Sequence, residues 1–286
     1  MLQQTRRTFT NPSHEAEASC LTPDGRILVL MAHGSMAFFE LESDDEGDDD
    51  DDENGVYPST CSVDRILTPI GDAHLEGVPW IHGTIVDACM LADFRVFVLT
   101  NVDGEEGTHT SSKLMCFGEG VTFSPVCLEN AYDKLCVTKT TVFVIARDLD
   151  CGPKAVGFCI DTGRQTIVIK AQVVSPSSML SWTDGRLVIS DAATNDFVVF
   201  ESDGTFVSKH HVPVRIDDMC LSKEGTLLVA DYEARAVVEC SFEGVLNCCK
   251  VITGMGLAME EGFRLYATQD AVVVVDRLGR DVVVIG

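Results

Sequence analysis

The chain has 286 residues, 45% of them hydrophobic, and a formal charge of −24 from 45 acidic and 21 basic side chains. That is ample apolar material for a large core, and the negative excess disfavours nucleic acid and anionic membrane surfaces as partners. No segment reaches the length of a membrane span, and the N-terminal MLQQTRRTFTNPSHEAE lacks the apolar stretch of a signal peptide. The 12 cysteines include no C-x-x-C pair, which reads as reduced thiols in a cytoplasmic protein.

Residues 1–17 read as an N-terminal arm. From 18 onward the chain repeats one pattern: a short apolar strand, a polar turn, then a β-rich second strand. The copies are ASCLTPDGRILVLMA (18–32), DACMLADFRVFVLTN (87–101), DKLCVTKTTVFVIAR (133–147), SMLSWTDGRLVISDA (178–192), DMCLSKEGTLLVADY (218–232) and GLAMEEGFRLYATQD (256–270). Gly25, Gly185, Gly225 and Gly262 fall at or after the turn, where a tight hairpin needs positive φ. A loop, a third strand and usually a second Gly turn follow, as in DFVVFESDGTF (196–206) and AVVECSFEGVL (236–246). Each unit is thus a four-stranded meander. The later ones recur about every 40 residues, the spacing of propeller blades.

The first unit is stretched by ELESDDEGDDDDDENG (40–55), an acidic low-complexity run. Self-repulsion predicts no fixed structure over about 42–55. It reads as a solubilising insertion or as a docking site for a basic partner or a cation. The last unit, counted from GLAME to DVVVI, supplies four strands of its own. It is therefore expected to need no strand from the N-terminus, with residues 1–14 loosely held or adding only a peripheral strand.

A four-stranded sheet cannot bury both faces alone; neighbours cover them, and only ring closure covers the last. The sequence therefore predicts an all-β, six-bladed propeller over residues 18–286, with four antiparallel strands per blade. SWTDGRLVISDAATNDFVVFESDGTF and LSKEGTLLVADYEARAVVECSFEG resemble NHL repeats, whose pattern ends its second strand in V-A-D between acidic-Gly turns. The resemblance is good over 178–250, fair over 256–286 and weak before 178. It implies a non-enzymatic protein- or peptide-binding scaffold, with a recognition or adaptor role in the ubiquitin pathway, as in tripartite-motif proteins. No RING or B-box pattern accompanies it. NHL propellers also include RNA binders, a reading the net charge disfavours.

IDDMCLSKEGTLLVADY (216–232) also resembles a segment of the gluconolactonase-type, calcium-dependent propeller hydrolases. That resemblance implies a calcium cofactor, with Asp217 and, more loosely, Glu17 as ligands. The family's Asn ligand has Ser178 in its place, a weaker donor. On the binding reading no catalytic residue, metal or cofactor is expected.

Name the strands of each unit a to d, from the axis outward. The Gly turns a–b and c–d then share one face, and the irregular b–c and d–a loops share the other. The expected binding residues on that second face are Trp80, His82, Arg147, Arg215, Asp217, Tyr232 and Arg235, since Trp, Tyr and Arg dominate interface energies. Asp191 and Asp231, each ending a strand b, read as turn caps. Cys20, Cys89, Cys136 and Cys220 recur at one place in strand a, with Ala258 in the last unit. Small side chains suit the crowding at an axis; a ring of thiols for a soft metal is the alternative.

Overall fold

The structure is a computed structural model. It describes residues 4–8, 16–21, 27–31, 36–39, 84–103, 109–118, 120–145, 155–170, 172–231, 233–234, 236–242, 246–254, 263–267, 272–276 and 281–285. These residues are organised into antiparallel sheets, and no helix among them is long and apolar enough to cross a membrane.

The first strand, β1 (Gln4–Thr8), stands apart from those that follow it. β2 (Ala16–Leu21), β3 (Ile27–Met31) and β4 (Met36–Phe39) form a sheet of three. Four sheets of four consecutive strands come next. They are β5 (Thr84–Met90), β6 (Val96–Asp103), β7 (His109–Phe117) and β8 (Val126–Leu128); β9 (Lys134–Val137), β10 (Thr141–Ile145), β11 (Ala155–Cys159) and β12 (Gln165–Ile169); β13 (Pro176–Ser181), β14 (Leu187–Asp191), β15 (Asp196–Phe200) and β16 (Phe206–His211); and β17 (Ile216–Leu221), β18 (Leu227–Asp231), β19 (Ala236–Phe242) and β20 (Leu246–Gly254). The last sheet has β21 (Phe263–Ala267), β22 (Val272–Asp276) and β23 (Asp281–Ile285), and then β1 as its fourth strand.

The expectation of six complete, self-contained blades is therefore corrected. Four sheets are built from four consecutive strands, the N-terminal sheet shows three described strands, and the C-terminal sheet takes its outermost strand from the N-terminus. β1 runs antiparallel to β23, with Gln4 opposite Ile285 and Thr8 opposite Asp281. The physical reason is that the inner strand of this sheet is β21, one strand later than GLAME suggests. Three strands then remain, and the exposed edge of β23 accepts a partner. GLAME itself, within 255–262, lies outside the described residues, as does the acidic run.

LVISD, DFVVF and LLVAD are runs of β-branched and aromatic residues, and each is buried along its whole length. Gly185 turns the β13–β14 hairpin at φ 95, where a side chain would be strained. Its N–H donates to Trp182 O at 2.9 Å. The apolar core is divided into slabs between neighbouring sheets. Phe143, Ile145 and Ile167 meet Met179, Ile189 and Phe200 in one; Val188, Phe197 and Val199 meet Ile216, Leu227 and Val229 in the next. Full burial of such a side chain contributes roughly 1.5–3 kcal/mol. The first strand of each sheet packs on the first strand of the next, from β2 through β5, β9, β13 and β17 to β21, and β21 returns to β2. These six inner strands surround one axis.

Candidate functional site

Four of the six inner strands carry a bulge that decides what reaches the axis. Register shifts fall between Ala16 and Ala18, Ile85 and Asp87, Pro176 and Ser178, and Ile216 and Asp218. The residue beyond each bulge (Ala18, Asp87, Ser178, Asp218) is buried. Lys134 on β9 and Arg264 on β21 stand at the same level. Apart from Ala18, they form a polar tier near the start of the inner strands.

Two carboxylates and two cations in this tier neutralise each other. Asp218 Oδ1 accepts from Lys134 Nζ at 3.3 Å and from Ser178 Oγ at 2.6 Å, and Oδ2 accepts from Leu265 N at 3.0 Å. Asp87 Oδ1 accepts from Arg264 Nη1 at 2.5 Å and from Ala88 N at 2.9 Å, while Oδ2 accepts from Leu135 N at 2.8 Å. Arg264 Nη2 also donates to Val86 O at 2.9 Å. Burial works against the charged form of Asp218, but Lys134, Arg264, and the bonds from Ser178 and Leu265 outweigh it and hold its pKa below the ordinary carboxylate value. Arg264 is likewise opposed by burial, yet Asp87 raises its pKa further.

A cavity of about 370 Å³ lies against this tier. Its lining runs along the inner strands as far as Leu21, Val137, Ser181, Leu221 and Ala267, their last residues, towards the a–b turns. The tier is its polar floor. Two residues beyond the tier, Cys20, Cys89, Cys136 and Cys220 line its wall. Burial pushes all four thiols up, Cys89 to about 12. At this level β21 carries Tyr266; Ala258, expected there, lies outside the described residues.

Of the expected binding residues, Arg215 and Asp217 are described; Trp80, His82, Arg147, Tyr232 and Arg235 lie outside the described residues. Arg215 is exposed and pairs with Glu233 at 2.9 Å. Asp217 is the extra residue of the β17 bulge and is half-buried, while its neighbour Asp218 reaches the axis. Glu17 is the corresponding extra residue of β2, and its side chain is outside the described set. The structure thus puts Ser178 and Asp218 together and leaves Asp217 off the axis. The caps behave as expected. Asp191 accepts from Val174, Ser175 and Ala193 N at 2.8, 3.0 and 3.1 Å, and Asp231 from Glu233 and Ala234 N.

Sequence reasoning missed Asp87, Lys134 and Arg264. The signal for the first two is present: each stands two residues before a recurring cysteine, as Asp218 does. Arg264 became visible only once β21 was known to be the inner strand.

No protein family model matches the chain, and no curated protein sequence matches it. Solved structures do. A virginiamycin B lyase from Staphylococcus aureus superposes with TM-score 0.61 at 8% identity, covering 100% of this chain and 99% of that one. A streptogramin B lyase gives 0.56 at 9% identity, covering 100% and 98%. The Dos1 propeller gives 0.55 at 14% identity, covering 97% of this chain and 69% of that one. The chain is a β-propeller. At these identities the likeness concerns the fold, which a lyase and the Dos1 propeller share.

Proposed function

We propose that this propeller is a non-enzymatic binding scaffold for a protein or peptide, of the NHL type, with its six sheets acting as the blades of one ring. One observation carries the reading: Lys134 and Arg264 stand at the axis and engage both axial carboxylates. A calcium ion there would have to displace two buried cations and face a positive field. Calcium asks for six to eight oxygen donors, and those of Asp87 and Asp218 are already held by cations, a hydroxyl and backbone amides. The tier also stands near the start of the inner strands, on the side of the loops that precede them. In this reading the face of the b–c and d–a loops is the binding platform, with Trp80, His82, Arg147, Arg215, Asp217, Tyr232 and Arg235 as its expected contacts.

Calorimetric titration with calcium tests the choice between scaffold and hydrolase. The scaffold reading expects no heat of site binding and no rise in melting temperature. Saturable calcium binding lost in Asp217→Asn would restore the hydrolase reading. For the face, affinity capture should lose its specific partner in an Arg147→Ala, Tyr232→Ala, Arg235→Ala triple variant. Retention there, with loss on altering the Gly-turn face, would reverse the assignment.

A further inference from the structure

The axial cavity has no duty in the binding function proposed above. It extends from the polar tier towards the a–b turns, whereas the proposed platform is the face of the b–c and d–a loops. Its volume of about 370 Å³ falls within the range of small-molecule pockets, roughly 300–1,000 Å³. The thiol level keeps it open. Cys20, Cys89, Cys136 and Cys220 lie opposite Leu28, Phe97, Phe143 and Leu228, the same step of each inner hairpin. At that step the other two inner strands carry Leu180 and Tyr266. The space accepts large side chains, and four small ones leave it unfilled.

Packing does not require the tier. Apolar residues of similar volume would close an axis at least as well as two buried ion pairs. What the tier offers instead is directed hydrogen bonding without net charge, since Asp87 and Asp218 balance Arg264 and Lys134. All four residues are at most 8% exposed. Each carboxylate already accepts three bonds. Arg264 has five N–H groups, and its bonds to Asp87 and Val86 use two of them among the described residues. The remaining capacity of the floor is therefore for an acceptor. Above the floor the wall is apolar. It consists of thiols that burial keeps protonated, of Leu180, and of Leu21, Val137, Leu221 and Ala267 at the strand ends.

We propose that the axial cavity binds a small, uncharged and mainly apolar molecule through one carbonyl group, whose oxygen accepts N–H bonds from Arg264 at the floor. A charged ligand would bring an unbalanced charge into a tier that is already neutral, at a desolvation cost that nothing there offsets. A wholly apolar ligand would cover Arg264 and leave its further donors buried without partners. A carbonyl on an apolar body meets both conditions. The oxygen accepts at the floor, and the body displaces water from the thiol and aliphatic wall. Binding is non-covalent: the thiols stay protonated, and it is the thiolate that acts as a nucleophile.

The test is titration of the full-length chain with PRODAN, a neutral naphthyl ketone whose emission reports its surroundings. One probe per chain should bind saturably, with emission shifted to the blue of its value in water. Cys89→Leu and Cys220→Leu fill the cavity from two strands and should each weaken binding at least about tenfold. Cys127→Leu, the same change at an exposed thiol, should leave it unaltered. Arg264→Lys keeps the charge without the planar fork and should weaken binding about tenfold, the worth of one hydrogen bond to a charged group. Anilinonaphthalene sulfonate, an anionic dye of similar size, should bind less tightly than PRODAN. Should the variants fail to fold, infrared difference spectra of wild type give the same answer: the carbonyl stretch of the bound ketone should lie below its value in hexane. Absence of saturable binding, a stretch at the hexane value, unchanged affinity in Cys89→Leu, Cys220→Leu or Arg264→Lys, or equal affinity for the sulfonate would overturn the proposal.

Discussion

Replacing Asp218 by Ala removes the acceptor on which three donors converge: the Lys134 ammonium, the Ser178 hydroxyl and the Leu265 amide. Lys134 is 5% exposed and Ser178 1% exposed, so neither gains water in exchange. Removing one partner of a buried ion pair costs about 3–5 kcal/mol, because the other charge stays behind. At about 2–4 °C per kcal/mol for domains of a few hundred residues, the melting temperature should fall by about 10 °C. Circular dichroism melts and urea titrations at pH 7 would measure it. Lys134→Met completes a double-mutant cycle. The double variant should be at least about 1 kcal/mol more stable than the two single losses predict, since it strands no ammonium. A loss below about 1 kcal/mol for Asp218→Ala, or additivity within about 0.5 kcal/mol, would refute the view that this pair holds the axis together.

Asp218 also gives a pH dependence. Its folded pKa lies below its unfolded one, so its contribution is present above about pH 4 and is lost as pH falls through the folded value. Urea midpoints should drop on acidification below about 4, and less steeply in Asp218→Asn. Asp191→Ala strands three backbone amides tying the b–c turn to the chain before β13, and should cost about 2–3 kcal/mol by urea unfolding. Deleting residues 1–8 removes the outermost strand of the last sheet and should lower the melting temperature measurably; an unchanged melt would show that β1 adds nothing to closure.

Much of the fold was legible before any coordinates. Short β-branched runs separated by acidic-Gly turns specify hairpins locally, and their repetition implies sheets that must cover one another's faces. The recurring cysteines were legible too, because they sit at a fixed step from each turn. Tertiary structure alone decided the rest. Whether Asp217 or Asp218 faces the axis depends on a bulge between Ile216 and Asp218, and one extra residue reverses which side chains point inward. GLAME and FRLYA both read as strands, and only packing against β17 and β2 made FRLYA the inner one and left an edge for β1. The pairing of Lys134 with Asp218 joins residues 84 positions apart, and that of Arg264 with Asp87 residues 177 apart. No local pattern encodes such contacts: closing the ring brings these charges together, and burial then makes their pairing obligatory.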